Sequence, residues 1–151
     1  HFKAKNLMYK SLDEVVAYSE LKNIHIAIET EGSLNKKDHL LMQRPEEYTE
    51  FMSKYSSSDI GINLNIGHLN LAANAFQFKR EDFVDLISDY IVAMELSHNN
   101  GLEDQHLPLL SDGWYWSPTV KNNDFCEKYH DIMQISKEQF KNTRKFDIFD
   151  D

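Results

Sequence analysis

Four short apolar runs rich in β-branched residues, at 24–28, 60–64, 90–96 and 132–135, alternate with stretches of helical periodicity. This pattern limits the chain to a small set of folds. Strands separated by crossover helices form right-handed βαβ units and a parallel sheet. The runs are nearly continuous in apolar character, as strands covered on both faces are.

The helical stretches carry their own punctuation. Ser11-Leu12-Asp13-Glu14 has the S-x-x-E form of a capping box and predicts a helix over 13–22, with Leu12, Val15, Val16 and Leu21 toward the core. Arg44-Pro45-Glu46-Glu47 places proline in a first turn and acids near the positive end of the helix dipole, so a second helix is expected to residue 55. Further helices are expected at 69–78 and 81–89. Ser136-Lys137-Glu138-Gln139 offers a cap for a last one. Residues 146–151 read as an acidic tail without an assignable element.

Four such units amount to half of a (β/α)8 barrel, which takes about 250 residues when complete. The expected fold class is therefore α/β, a single domain over 1–151 forming part of a barrel with parallel strands. Open strand edges need cover. Either the first half has been lost from this chain, or another polypeptide supplies it, or the protein self-associates. With 41% hydrophobic residues a chain of this size can bury one core. It begins without Met, which reads as an internal position of something longer or a processed end.

Charge and cysteine content exclude several classes. Lys and Arg number 16 against 25 Asp and Glu, a formal net charge of -9 that argues against a nucleic-acid partner. Cys126 stands alone, so an internal disulfide and a Cys-rich zinc finger are both unavailable, and a reducing cytoplasm fits best. No apolar run approaches the ~20 residues of a membrane span.

Chemistry-capable residues gather where the expected strands end, the place where parallel α/β sheets build their sites. Glu29 follows the first run, Asn65 and His68 the second, and Glu95 and His98 the third. Asp104 and His106 lie just beyond, and Gln134 falls in the fourth. Carboxylate and imidazole are ligands for Zn, Mn, Co or Mg, and such a cation polarises a carbonyl or activates water.

Several of these stretches resemble the xylose-isomerase-like TIM barrels, which include sugar isomerases, epimerases and apurinic-site endonucleases. Ile26-Ala27-Ile28-Glu29 resembles the family strand that ends in a metal-binding Glu, and Leu64-Asn65-Ile66-Gly67-His68 resembles L-D-x-G-H. Glu95-Leu96-Ser97-His98-Asn99-Asn100-Gly101 is similar to H-x-x-D-N-x-G, and Asp104-Gln105-His106-Leu107-Pro108-Leu109 matches D-x-H-L-P-L. The resemblance covers residues 20 to 116 and, more weakly, the segment around Gln134. It implies the C-terminal half of such a barrel.

It further implies a metal-dependent sugar or sugar-phosphate isomerase or epimerase acting on a small sugar. Glu29 and Glu95 would be the catalytic carboxylates, and Glu29, His68, Glu95, Asp104 and His106 the metal ligands. Asn65, His98, Trp114 and Gln134 would line the substrate. The isomerase branch uses Glu, Asp, His and Glu, whereas the matching positions here are Glu29, Asn65, Glu95 and Gln134, so only the first is unchanged. The neutral amides hold a cation more weakly, and Gln134 cannot act as a second acid/base. What survives whole is Glu29 with His68, Asp104 and His106, a set that resembles one zinc site of the endonuclease branch.

Plainer roles stand beside these. Glu29 can cap a helix or pair with a cation, and His68, Asp104 and His106 can form a metal-free network pinning loops to the rim. Trp114 and Trp116 can simply pack. Two alternatives to the isomerase follow: a non-catalytic half-barrel that binds a ligand or partner, and an endonuclease-like phosphodiesterase.

Overall fold

A computed structural model describes residues 2–33, 40–56, 60–110 and 112–116. The expected strand at 132–135, the helix after it and the tail at 146–151 lie outside the described residues.

The chain opens with α1, Phe2–Lys22, 21 residues long. Ser11 is therefore mid-helix, and the capping box expected there does not start it. Lys3, Ala4, Lys5, Leu7, Met8 and Lys10 are strong helix formers with no glycine or proline among them, so the helix runs through the cap signal. The helix stops in a Schellman motif. Asn23 takes a left-handed φ of 54°, its N–H donating to the Glu20 carbonyl (3.2 Å) and that of Ile24 to the Ser19 carbonyl (2.9 Å). Because Ile24 is used in this cap, β1 begins two residues later than expected, at Ile26–Glu29.

The next helix, α2 (Pro45–Tyr55), starts where proline and the acids predict. Glu47 reaches back to accept from the backbone N–H groups of Gln43 (2.9 Å) and Arg44 (3.0 Å). The central strand β2, Ile60–Asn65, passes without a loop into α3, Ile66–Phe76. A left-handed Gln77 ends α3, and α4, Arg80–Ile87, leads through a 3-10 turn to β3, Ile91–Glu95. The three strands form one parallel sheet in the order β1-β2-β3. Among the described residues no helix is long and apolar enough to cross a membrane.

One face of the sheet carries the core. Ile62 and Leu64 are fully buried against Tyr48, Phe51, Phe83, Val84 and Ile87, with Tyr9 and Val16 of α1 joining at the margin. At about 25 cal/mol per Å², each such side chain contributes roughly 1.5–3 kcal/mol. Val15 and Leu21, expected inward, are 48% and 83% exposed.

The opposite face differs from the expectation of strands covered on both sides. Ala27, Glu29, Val92, Ala93 and Glu95 are exposed among the described residues. The registers Ala27↔Gly61, Glu29↔Asn63, Asn63↔Ala93 and Asn65↔Glu95 set this second face. Gly61 is required there, because a Cβ would meet Val92 Cγ2 at 2.5 Å. Among the described residues the fold is a three-stranded segment of a parallel barrel whose inward face is exposed.

Candidate functional site

The C-terminal ends of β1 and β2 are tied by Thr30, whose hydroxyl accepts from the Asn65 N–H (2.9 Å) and lies 3.3 Å from the Asn65 carbonyl. Asn65 is 1% exposed. Its Oδ1 accepts from the His68 N–H (3.1 Å) and so caps α3, while its Nδ2 donates to Glu29 Oε1 (2.9 Å). Both ends of the amide are engaged within the protein, which leaves its carbonyl oxygen committed to the helix.

His68 is oriented by the same strand ends. Its Nδ1 is 2.8 Å from the Thr30 carbonyl and 3.2 Å from Glu29 Oε1. A carbonyl can only accept, so Nδ1 donates to it, and Nε2 is the ring nitrogen left facing the cluster. Nε2 points at Asp104 Oδ2, 3.6 Å away, and His106 Nε2 lies 3.1 Å from the same oxygen. Donor atoms of His68, Asp104 and His106 fall within 4.8 Å of one another. Around a tetrahedral zinc, donors at 2.0–2.1 Å stand about 3.3 Å apart, so these spacings suit a divalent cation. An imidazole held through its other nitrogen by a carbonyl and a carboxylate is the arrangement that orients metal-binding histidines.

Asp104 and His106 reach the cluster on a loop closed by an antiparallel bridge between His98 and Leu107, whose N–H groups donate to each other's carbonyls at 2.9 and 2.8 Å. His106 has a φ of 47°, a left-handed conformation that costs a non-glycine residue about 1–2 kcal/mol.

Glu29, His68, Asp104 and His106 therefore come together at one rim. Glu95 stands on the same open face as Glu29, across from Asn65, and is exposed. His98 serves the loop through its backbone, and its half-buried ring lies 6.2 Å from that of Tyr115. Trp114 packs beneath the Arg80 guanidinium at 4.3 Å. Gln134 lies outside the described residues. Thr30 and Asn99, which hold the site together, were not singled out by sequence. The position of Thr30 directly after the strand-ending Glu29 is the one available signal for it.

No protein-family model matches the chain. It is 27% identical over 114 residues to the uncharacterized protein y4fM of Sinorhizobium fredii, covering 76% of this chain and 34% of that protein. It is 29% identical over 101 residues to the uncharacterized protein MJ1311 of Methanocaldococcus jannaschii, covering 67% and 33%. The chain thus spans about a third of the length of these curated relatives. A solved structure described as a D-tagatose 3-epimerase-like protein matches with a TM-score of 0.57 at 23% identity, over 89% of this chain and 55% of that one. That likeness shows the fold alone, part of a (β/α) barrel with parallel strands.

Proposed function

We propose that this chain forms part of a metal-dependent isomerase or epimerase site for a small sugar or sugar phosphate. The observation that carries the reading is the open inner wall. There two exposed carboxylates, Glu29 and Glu95, flank the central strand, and Glu29 adjoins His68 of the histidine–aspartate–histidine group at 3.2 Å. His68, Asp104 and His106 would hold a divalent cation, which when bound makes a C–H beside a sugar carbonyl more acidic. Glu29 and Glu95 sit two strands apart and two residues staggered, roughly 12 Å between backbones, leaving room for a small substrate. Glu29 takes the proton from one side and Glu95 supplies one from the other; Asn65 keeps Glu29 in place by its amide hydrogen bond. His98, Trp114 and Gln134 are proposed to line the substrate.

Further strands would complete the wall, from the same polypeptide, a second chain or another copy. The exposed inner face supports this, as does the stripe of Leu7, Val15 and Tyr18 on α1. Light scattering of the purified protein tests self-association.

The direct test is solvent deuterium exchange into D-tagatose and related ketoses with Zn, Mn, Co or Mg added. Exchange that falls by about 10²-fold or more in Glu29→Gln is the expected result. Absence of exchange with every cation would remove the catalytic reading and leave a binding module, which the committed Asn65 oxygen favours. Phosphodiester hydrolysis at abasic DNA is a second reading. The surviving histidine–aspartate–histidine set supports it, the net charge of -9 opposes it, and a zinc-supplemented cleavage assay decides.

A further inference from the structure

We propose that Arg80, at the start of α4 and outside the rim, is a positioning residue that clamps the loop bearing Asp104 and His106. This rests on the reading of that loop as a metal-binding element.

The loop is pinned ahead of its ligands by amides. Asn99 donates through Nδ2 to the Gly67 carbonyl (2.9 Å) and accepts at Oδ1 from Asn70 Nδ2 (2.9 Å) and the Gly101 N–H (3.0 Å). Arg80 Nη1 donates to Asn70 Oδ1 at 2.7 Å, which fixes which end of the Asn70 amide faces Asn99. Were Asn70 to rotate, its oxygen would confront the Asn99 oxygen.

The same guanidinium lies 4.3 Å over the ring of Trp114, on the far side of the ligands. Trp114 packs on the buried Tyr115, whose hydroxyl accepts from the Leu110 N–H (2.6 Å) and whose ring faces His98. One side chain therefore joins both flanks of the loop. His106 holds its left-handed φ only while those flanks are fixed, since a non-glycine residue released from constraint returns to negative φ. The planar fork of Arg both donates and stacks, which Lys cannot reproduce.

Zinc titration of the wild type, Arg80→Ala and Arg80→Lys tests the proposal, with His106→Ala as the ligand control and thermal melts confirming folding. Loss of the clamp is expected to weaken zinc binding about 10-fold or more in both Arg80 variants. A purely electrostatic role predicts the reverse for Arg80→Ala, because removing a cation favours a cation. Amide hydrogen exchange over 98–107 in metal-free protein supplies a readout independent of zinc, and it is expected to quicken in Arg80→Ala.

Equal zinc affinity in wild type and Arg80 variants overturns the clamp. Wild-type protein that binds no zinc overturns the metal reading instead. In that case unchanged exchange over 98–107 refutes the clamp, and faster exchange upholds it.

Discussion

Asn65→Asp isolates the contact between the two strand ends. Aspartate caps a helix as well as asparagine does, so α3 keeps its start. The change replaces the donor that lies 2.9 Å from Glu29 Oε1 with a second carboxylate oxygen, at a position 1% exposed. Two full charges at that distance repel by about 6 kcal/mol at an effective dielectric of 20. Holding one proton on a carboxyl with an ordinary pKa of about 4 costs roughly 4 kcal/mol at pH 7. The proton is the cheaper solution, so the pair shares one.

Folding then takes up a proton that the unfolded chain lacks at neutral pH. Because the Glu29 side chain is 45% exposed and can turn partly to solvent, the variant is expected to lose up to about 4 kcal/mol at pH 7, a loss that shrinks with acidification until it is small near pH 4. Urea denaturation followed by circular dichroism at several pH values measures this, with midpoints shifted on the order of 2 M at pH 7. Adding Glu29→Gln restores a donor opposite the new carboxylate and should recover most of the stability. A loss that stays flat between pH 4 and 8, or a double variant no better than the single, would refute the contact.

Gly67→Ala should destabilise, because its Cβ would stand 2.4 Å from Ser97 Oγ; overpacking costs about 1–3 kcal/mol against a helix-propensity gain of about 1. That hydroxyl is buried without a hydrogen-bond partner among the described residues, so in a Ser97→Ala background the same substitution should become neutral or stabilising by up to about 1 kcal/mol. Additive urea midpoints would count against this packing. At alkaline pH, burial, with Glu50 and Glu47 adding repulsion, pushes Tyr9 up from 10.0 to about 12, and burial raises Tyr48 as well. Their contribution is whole below pH 10 and lost as pH climbs toward 12, so ultraviolet tyrosinate absorbance should appear together with unfolding. Ionisation of every tyrosine near pH 10 with the fold intact would contradict it.

The parallel α/β character was legible because it depends on local chemistry: β-branched runs and Pro45 with Glu46 and Glu47 act within a few residues, whereas the cap that Asn65 gives α3, whose start at Ile66 is three residues ahead of the one expected at 69, emerges only in the structure. The gathering of Glu29, His68, Asp104 and His106 could be anticipated from strand ends, although no local rule states which atoms meet. The start of α1 differs from the expectation because Ser11 signals a cap only if the preceding residues decline to be helical, and they do not. The sequence offers Asn65 as a candidate substrate contact, while its intramolecular partners, the His68 N–H at its oxygen and Glu29 at its nitrogen, are visible only in the structure. A side chain's partners are set by which strand lies beside it, and strand order is a property of the assembled sheet. For the same reason the loop beyond His98 took its form only in three dimensions, where Asn70, Arg80 and Trp114 meet across long stretches of chain and hold His106 in a conformation it would not adopt alone.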